Sequence, residues 1–381
     1  MKKLMKYFVI LIALVIALIL IKYPYLSKGV KNIYLKGHKT SYISDFVHYP
    51  KRLIPNANRI REWPLHKNYN AFTESQRLKS FNERYGTTAF LVIKNDSILF
   101  EKYYHGYTPD SLSNSFSMAK SIVVTLLFKA IEEGHIKSLD QKLSDFFPEF
   151  KGRYAKEVTL RHLAAMASGS NWVENYYNPF TITAETYFTE NLNKLILNNV
   201  RFDRPPGKKW YYSSGDTQIL GMVITKATGK TLSEYLSEHF WQPMGMRKHA
   251  WWNLDSEDGM EKAFCCVNSN ARDFAKFGRL YLNRGRWNGK QLIDSSFVKQ
   301  ALTPYFKNMP RYGLQWWLFD LKGYKGFMMR GHKGQYVMVI PSEKTIIVRL
   351  GETKPKSRMG TFSEDIGVYL EEGMHLVKKT E

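Results

Sequence analysis

Strand signals in this chain cluster at its two ends, and helix signals fill the middle. The stretch "TTAFLVIKNDSILFEKYYHGY" holds two apolar strands around the turn pair Asn95-Asp96, the pattern of a β-hairpin. Strand patterns return only late, in "YGLQWWLFD", "GFMMRG", "QYVMVIP" and "TIIVRLGE". Between residues 135 and 285 the periodicity is helical, and "TLRHLAAMASG", "DTQILGMVITKATG", "TLSEYLSEHFWQPMG" and "NARDFAKFGRLYLNRG" each read as one helix. A capping box at Thr73 and Gln76 predicts an earlier helix running to Arg84, and a last amphipathic helix is predicted over 363–377. The order strands, helices, strands, helix predicts an α+β sandwich. One antiparallel sheet forms from both chain ends, helices flank it, and a mainly helical region is inserted. There is no internal repeat and no low-complexity tract.

The first residues set a second constraint. Lys2, Lys3 and Lys6 precede the apolar run "YFVILIALVIALILI", Tyr7 to Ile21. As a helix this run spans about 22 Å, short of a hydrocarbon layer of roughly 30 Å. Lys22 can snorkel, and Tyr23 and Tyr25 suit an interface. The positive flank predicts the N-terminus inside and the bulk of the chain on the extracytoplasmic side. A cleaved signal peptide is the alternative, although no A-x-A motif follows. Residues 1–22 are therefore read as a cytoplasmic stub and membrane anchor, 23–72 as a basic spacer broken by Pro50, Pro55 and Pro64, and 73–381 as the folded domain.

Net charge is +22, but the basic residues are scattered, with no zinc-ligand spacing, basic helix or aromatic RNA-binding signature. Nucleic acid is not an expected partner, and the charge suits an anionic envelope or membrane surface. The two cysteines, Cys265 and Cys266, are neighbours. Neighbours rarely bridge, so they are expected to pack as two small apolar residues.

Chemistry concentrates in three places. In "NSFSMAKSIVVT", Ser117 and Lys120 sit three apart at the mouth of an apolar helix that Gly134 closes. Residues at i and i+3 share a helix face, so the hydroxyl lies beside an amine whose pKa burial can lower. The spacing alone is weak, since Ser296 and Lys299 repeat it where a helix start and a solvated lysine suffice. In "PPGKKWYYSSGDTQILG", a Pro-Gly turn and an aromatic run present Tyr212, whose anion is expected to be favoured near two cations. In "RGHKGQYVMVIP", glycines at 331 and 334 flank a strand. That strand is placed to offer an oxyanion donor from Gln335 and positive charge from His332 or Lys333.

Together the three elements resemble the serine β-lactamase-like superfamily. The nearest branch holds class C β-lactamases, D-alanyl-D-alanine carboxypeptidases and related esterases and amidases. The likeness covers roughly residues 73–378, with flanking text such as "FWQPMGM", "YGLQWW" and "GHKGQ". The wording "YSSGDTQ" and "WWNLD" is most similar to the 6-aminohexanoate-dimer hydrolase group. The resemblance implies the β-lactamase/transpeptidase-like fold. It implies Ser117 as the acylated serine, Lys120 as its lysine partner and Tyr212 as the catalytic tyrosine. The backbone N–H groups of Ser117 and Gln335 would then form the oxyanion hole.

His332, Lys333 and Gly334 stand in the place of a Lys-Thr-Gly strand, and Ser214 in the place of the Asn of Tyr-x-Asn. These four positions are expected to bind substrate. Trp172, Glu174 and Tyr176 fit a W-x-E-x-Y pattern, with Tyr176 as a further substrate contact. The expected protein is a membrane-anchored serine hydrolase that cleaves a small ester, amide or peptide, with no metal and no cofactor. The alternatives are a penicillin-binding or stem-peptide sensor with altered catalysis, or a D-Ala-D-Ala carboxypeptidase or β-lactamase.

Overall fold

The apolar run forms one helix, α1 (Lys2–Lys22), none of whose residues is buried against the protein. Among residues 1–380, which the computed structural model describes, it is the one helix long and apolar enough to cross a membrane. The segment expected as a spacer instead packs on the body. After Pro24 comes α2 (Tyr25–Asn32), whose Tyr25 hydroxyl donates to the Pro179 carbonyl at 2.8 Å. A short strand, β1 (Lys51–Ile54), follows Pro50 and is ended by Pro55, and Ile54 and Trp63 are buried. The prolines here delimit ordered elements and do not mark a flexible tether.

Next come α3 (Gln76–Arg84) and the hairpin of β2 (Thr87–Lys94) and β3 (Ser97–Tyr103). The cap of α3 is Ser75, which accepts from the Leu78 N–H at 3.0 Å, and not Thr73. Asn95 and Asp96 both take left-handed φ, 49° and 61°, as a two-residue hairpin turn demands. The chain continues through β4 (Ser113–Asn114) and a tight turn, Phe116–Met118, into α4 (Ala119–Glu132).

The inserted region holds α5 (Leu160–Ala164), α6 (Ile182–Phe188), α7 (Leu192–Asn199), α8 (Ser214–Thr228) and α9 (Leu232–Leu236). The helix predicted over "TLRHLAAMASG" stops at Ala164, because Met166 takes φ 58° and turns the chain. The region is not all helical. It contains β5 (Ala250–Asn253) and β6 (Val267–Ser269), which join β1 and β4 in a small sheet ordered β1-β5-β6-β4. Strands of three or four residues are too short for alternation to reveal.

Cys265 and Cys266 are disulfide-bonded, with Cα atoms 3.7 Å apart, and are not the free apolar pair expected. The bridge falls where Cys266 adopts φ 72°, a left-handed step outside ordinary strand or helix geometry. After α10 (Ala271–Leu282) come a tiny hairpin, β7 (Arg286–Trp287) and β8 (Lys290–Gln291), and α11 (Ser295–Ala301). The chain closes with β9 (Trp317–Leu321), β10 (Tyr324–Gly331), β11 (Gln335–Ile340), β12 (Thr345–Gly351) and α12 (Glu364–Lys378).

The main sheet is antiparallel and ordered β3-β2-β12-β11-β10-β9. It is built from both ends of the chain, in the β-lactamase/transpeptidase-like arrangement. Alternation divides its residues between two cores. Leu91, Ile93, Val337, Val339, Ile346 and Val348 face the larger cluster, while Phe90, Val92, Tyr336, Met338, Ile340 and Ile347 face the other. Glycines let helices lie close on both faces. A Cβ on Gly278 of α10 would come within 2.9 Å of Val337, and one on Gly373 of α12 within 2.5 Å of Ile347.

Where the late strands meet the hairpin, Arg349 is fully buried. Its guanidinium donates to the carbonyls of Lys333, Gly334, Tyr85 and Thr353 at 2.8–3.0 Å and to the Thr87 hydroxyl at 3.1 Å. It therefore fixes the turn between β10 and β11. Arg349→Met strips four carbonyls, one buried and three partly buried, of this donor and is expected to lower stability by about 3–5 kcal/mol. Urea unfolding reads this out, and Arg349→Lys should recover only part, since an ammonium cannot span the fork.

Candidate active site

Ser117 lies on the tight turn ahead of α4 and not in the helix proper. The small sheet pins this turn. The Ser115 N–H donates to the Val267 carbonyl at 2.8 Å, and the Ser115 hydroxyl accepts from the Val267 N–H at 3.1 Å. Asn114 accepts from the Phe116 N–H at 2.8 Å and donates to buried Asp45 at 3.1 Å. Phe116 is held at φ 44°, an uncommon conformation for a bulky side chain. On the other side β10 presses in. A Cβ on Gly331 would sit 2.3 Å from the Ser115 carbonyl, so glycine is required for that approach.

Lys120, in the first turn of α4, is fully surrounded. Its ammonium donates to the Ser117 hydroxyl at 3.1 Å, the Ser214 hydroxyl at 3.1 Å and the Phe264 carbonyl at 2.8 Å. All three ammonium protons thus have acceptors. Burial pulls its pKa down from 10.5 to about 8, with Glu174 pulling it back up.

Glu174 is the residue whose part the sequence reasoning missed. Its carboxylate accepts from the Ser214 hydroxyl at 2.7 Å, the Ser214 N–H at 2.8 Å and the Trp172 indole at 2.6 Å, and also from the Tyr176 hydroxyl. The W-x-E-x-Y pattern was the available signal, because it sets a carboxylate between two aromatic donors. The Phe264 carbonyl carries no side-chain signal at all.

Tyr212 is half-buried against Tyr312 and Trp317, with ring centroids at 6.2 and 5.8 Å. The Lys120 ammonium lies 5.2 Å from its ring centroid. The expected easing of the phenol toward its anion is reversed. Burial and then the Glu174 charge push the phenol pKa up, while the nearby Ser117 hydroxyl and the charge of Arg330 oppose this. Ser117, Tyr212, Tyr176, Trp317, Arg330 and His332 line one hollow of about 370 Å³.

The remaining candidates divide. Ser214 is fully buried and does not line this hollow, so it links Lys120 to Glu174 and does not face a substrate. His332 stacks on Tyr176 at 5.5 Å and meets the Phe116 edge at 5.6 Å. Burial lowers its pKa to about 3, with Lys354 and Lys333 adding to the shift, so it supplies no positive charge. Lys333 turns into a neighbouring hollow at φ 59°. Gly334, at φ 86°, leaves the space in which the Arg349 guanidinium lies. Gln335 is buried. Its side-chain amide is tied to Gly351, and its backbone pairs with Gly331 at the end of β10 that abuts the Ser117 turn. No cluster of metal-ligating side chains occurs among the described residues.

A family model described as beta-lactamase matches residues 74–362. The chain is 25% identical over 295 residues to a 6-aminohexanoate-dimer hydrolase of Paenarthrobacter ureafaciens, covering 69% of this chain and 72% of that one. A structure described as a putative 6-aminohexanoate-dimer hydrolase from Bacillus anthracis superposes with a TM-score of 0.71 at 24% identity, covering 88% of this chain and 92% of that one. An octameric penicillin-binding protein homologue from Pyrococcus abyssi gives 0.60 at 20% identity, covering 78% and 76%.

The buried ammonium has a measurable signature. Because its pKa is lowered on folding, the unfolded chain holds that proton more tightly, so this residue's contribution to stability rises between pH 8 and 10.5. In urea unfolding, Lys120→Met should compare most favourably with the parent below pH 8. The difference between the two should then shift by about 3 kcal/mol in the parent's favour toward the upper end of the window. A pH-independent difference would contradict the buried cation.

Proposed function

This chain belongs to the beta-lactamase family, and from that premise we propose that it is a serine hydrolase acting on an ester or amide through an acyl-enzyme on Ser117. The observation that carries the proposal is the Lys120 nitrogen 3.1 Å from the Ser117 hydroxyl, in a buried site that brings its pKa to about 8. An amine that loses its proton this near neutrality is a competent general base.

Neutral Lys120 accepts the Ser117 proton as Oγ attacks the carbonyl carbon. The N–H groups of Ser117 and Gln335 hold the developing oxyanion. Tyr212, kept as a neutral phenol, hands a proton to the leaving oxygen or nitrogen and is refilled from Lys120. Water then attacks the acyl carbon and gives up its proton to the same pair, which returns it to Oγ as the Ser117–acyl bond breaks. Glu174 tunes the site through Ser214 by keeping Lys120 from losing its proton too early. Trp172 and Tyr176 hold Glu174 in place.

The hydroxyl of Ser214 in place of an amide, and the uncharged His332, favour ester or amide turnover over β-lactam or stem-peptide recognition. The hydrolase from Paenarthrobacter ureafaciens, named for an amide dimer, supports the same class. In this reading α1 anchors the chain with its body on the extracytoplasmic side. The burial of Tyr25 and Gly29 in α2 supports retention of the segment, since cleavage there would cut through a packed helix.

A fluorophosphonate probe is expected to label the parent and leave Ser117→Ala unlabelled. On p-nitrophenyl acetate, Tyr212→Phe should lose about 10²–10⁴ in kcat. Labelling without turnover of any ester or amide would instead indicate a binding protein. Removing the Glu174 charge lowers the pKa of Lys120, so Glu174→Gln is expected to move the acidic limb of the kcat/KM profile to lower pH. An unmoved limb would refute the coupling.

A further inference from the structure

The Ser117 hollow is the last of three that share walls. Beside it lies a second of about 320 Å³, with Arg330, His332, Lys354 and Arg358 common to both. Beyond that is a third of about 300 Å³, which shares Thr40 and Tyr177 with the second and Tyr176 with the first. The third is apolar, walled by Leu26, Val30 and Ile33 of the α2 segment and by Ala184, Tyr187 and Phe188 of the α6 segment. The three hollows thus lie side by side, the basic one sharing walls with both the reactive one and the apolar one.

Among the described residues Arg330, Lys354 and Arg358 form no ion pair, although the buried Asp365 carboxylate lies near enough to act on Lys354. Arg330 rests over the rings of Trp317 and Phe362 at 4.6 and 5.6 Å. Burial holds the Lys354 pKa down at about 8, with Arg330 and Arg358 adding to the shift and Asp365 opposing it. Crowded cations facing a hollow favour an anionic occupant.

The apolar chamber has a particular location. Its first lining residue, Leu26, comes four residues after the end of α1. Val30, Tyr34, Leu35, Tyr177 and Phe180 are exposed around it, and Tyr23 meets Phe180 edge-on at 5.2 Å. Lys22, Lys28, Lys31, Lys36 and Lys39 lie along the same segment, which has no acidic residue before Asp45. With α1 in a bilayer, this mouth opens at the headgroup level, where basic residues and tyrosines are favoured.

We propose that the substrate is an anionic acyl amphiphile taken from the membrane surface, its acyl chain in the hollow between α2 and α6 and its charged head among Arg330, Lys354 and Arg358. This inference rests on the hydrolase reading above and assigns that site a substrate class. The carbonyl comes to Ser117 past Tyr176, the wall shared by the apolar and reactive hollows. A bond forms between Ser117 Oγ and the acyl carbon as the carbon–oxygen bond to the head-group alcohol breaks. That alcohol leaves with the serine's proton. Water then adds, one of its protons reaches Oγ as the bond to Oγ breaks, and the fatty acid departs as a carboxylate, its proton passing to solvent.

The test uses the full chain in zwitterionic nanodiscs with p-nitrophenyl esters from acetyl to dodecanoyl. The inference expects kcat/KM to climb by up to roughly fourfold for each methylene that enters the hollow, about 0.8 kcal/mol per group. Val30→Trp, at the rim, and Ala184→Phe, inside, should each collapse the dodecanoyl-to-acetyl ratio. Equal rates along the series, or a climb that survives both fillings, would overturn the acyl site while acetyl turnover keeps the hydrolase reading intact. No turnover of any ester together with no fluorophosphonate labelling would overturn both. In a second arm, an acylglycerol phosphate should be cut faster than the uncharged acylglycerol, and Lys354→Gln with Arg358→Gln should erase the difference. Equal rates in the parent would overturn the head-group assignment.

Discussion

One buried ammonium organises the reactive centre. Lys120 enters an apolar core only because three acceptors meet it there: two serine hydroxyls and one carbonyl. Each arrives from a different part of the chain, the turn before α4, the start of α8 and the loop before β6. A cation left short of a partner in such a place is costly, so the three segments are held in register by one nitrogen. The same desolvation that makes the residue expensive makes it chemically useful. It brings the conjugate acid of an ordinary lysine close to the pH at which proton exchange is easy.

Around that nitrogen, rigidity comes from backbone more than from side chains. Phe116 is held in a left-handed conformation by its neighbours' hydrogen bonds, and Gly331 admits β10 to within contact of the Ser115 carbonyl. Arg349 fastens the turn that joins the same strand pair, just past Gly331, from inside. Glu174 adds the electrostatic counterpart. It does not touch Lys120 directly, but it raises that pKa through space and lifts the Tyr212 phenol with it. The two groups proposed to carry protons are therefore both under the influence of one carboxylate.

The large sheet was legible because its strands are long enough for alternation to register and its hairpin turn carries the pair Asn95-Asp96. The same holds for α8, whose apolar run ends in Gly229 at φ 68°. Short elements escaped. β5 and β6 offer too few residues for a period, and the bridge at Cys265-Cys266 depends on a local backbone twist that no composition reveals. Ser117, Lys120 and Tyr212 were singled out because their identities are chemically restrictive and recur in a recognisable order, and the structure brings the three together. Ser214 and His332 were placed correctly in the chain but misjudged in character, since burial decides whether a hydroxyl meets solvent and whether an imidazole holds a proton. Arg330 and Lys354 gave no sign, because scattered cations look alike until the fold gathers them.

The docking of α2 on the body has a geometric result. Tyr25 holds Pro179, and only two residues separate the end of α1 from the start of this helix, so there is no slack between apolar stem and globule. A loosely leashed globule samples a hemisphere of orientations above its attachment point. In the anchored state proposed above, this one has lost that freedom and meets a surface with one side only. Encounter in that state is a matter of lateral traffic in two dimensions, governed by how many target molecules occupy each unit of area and not by their bulk molarity.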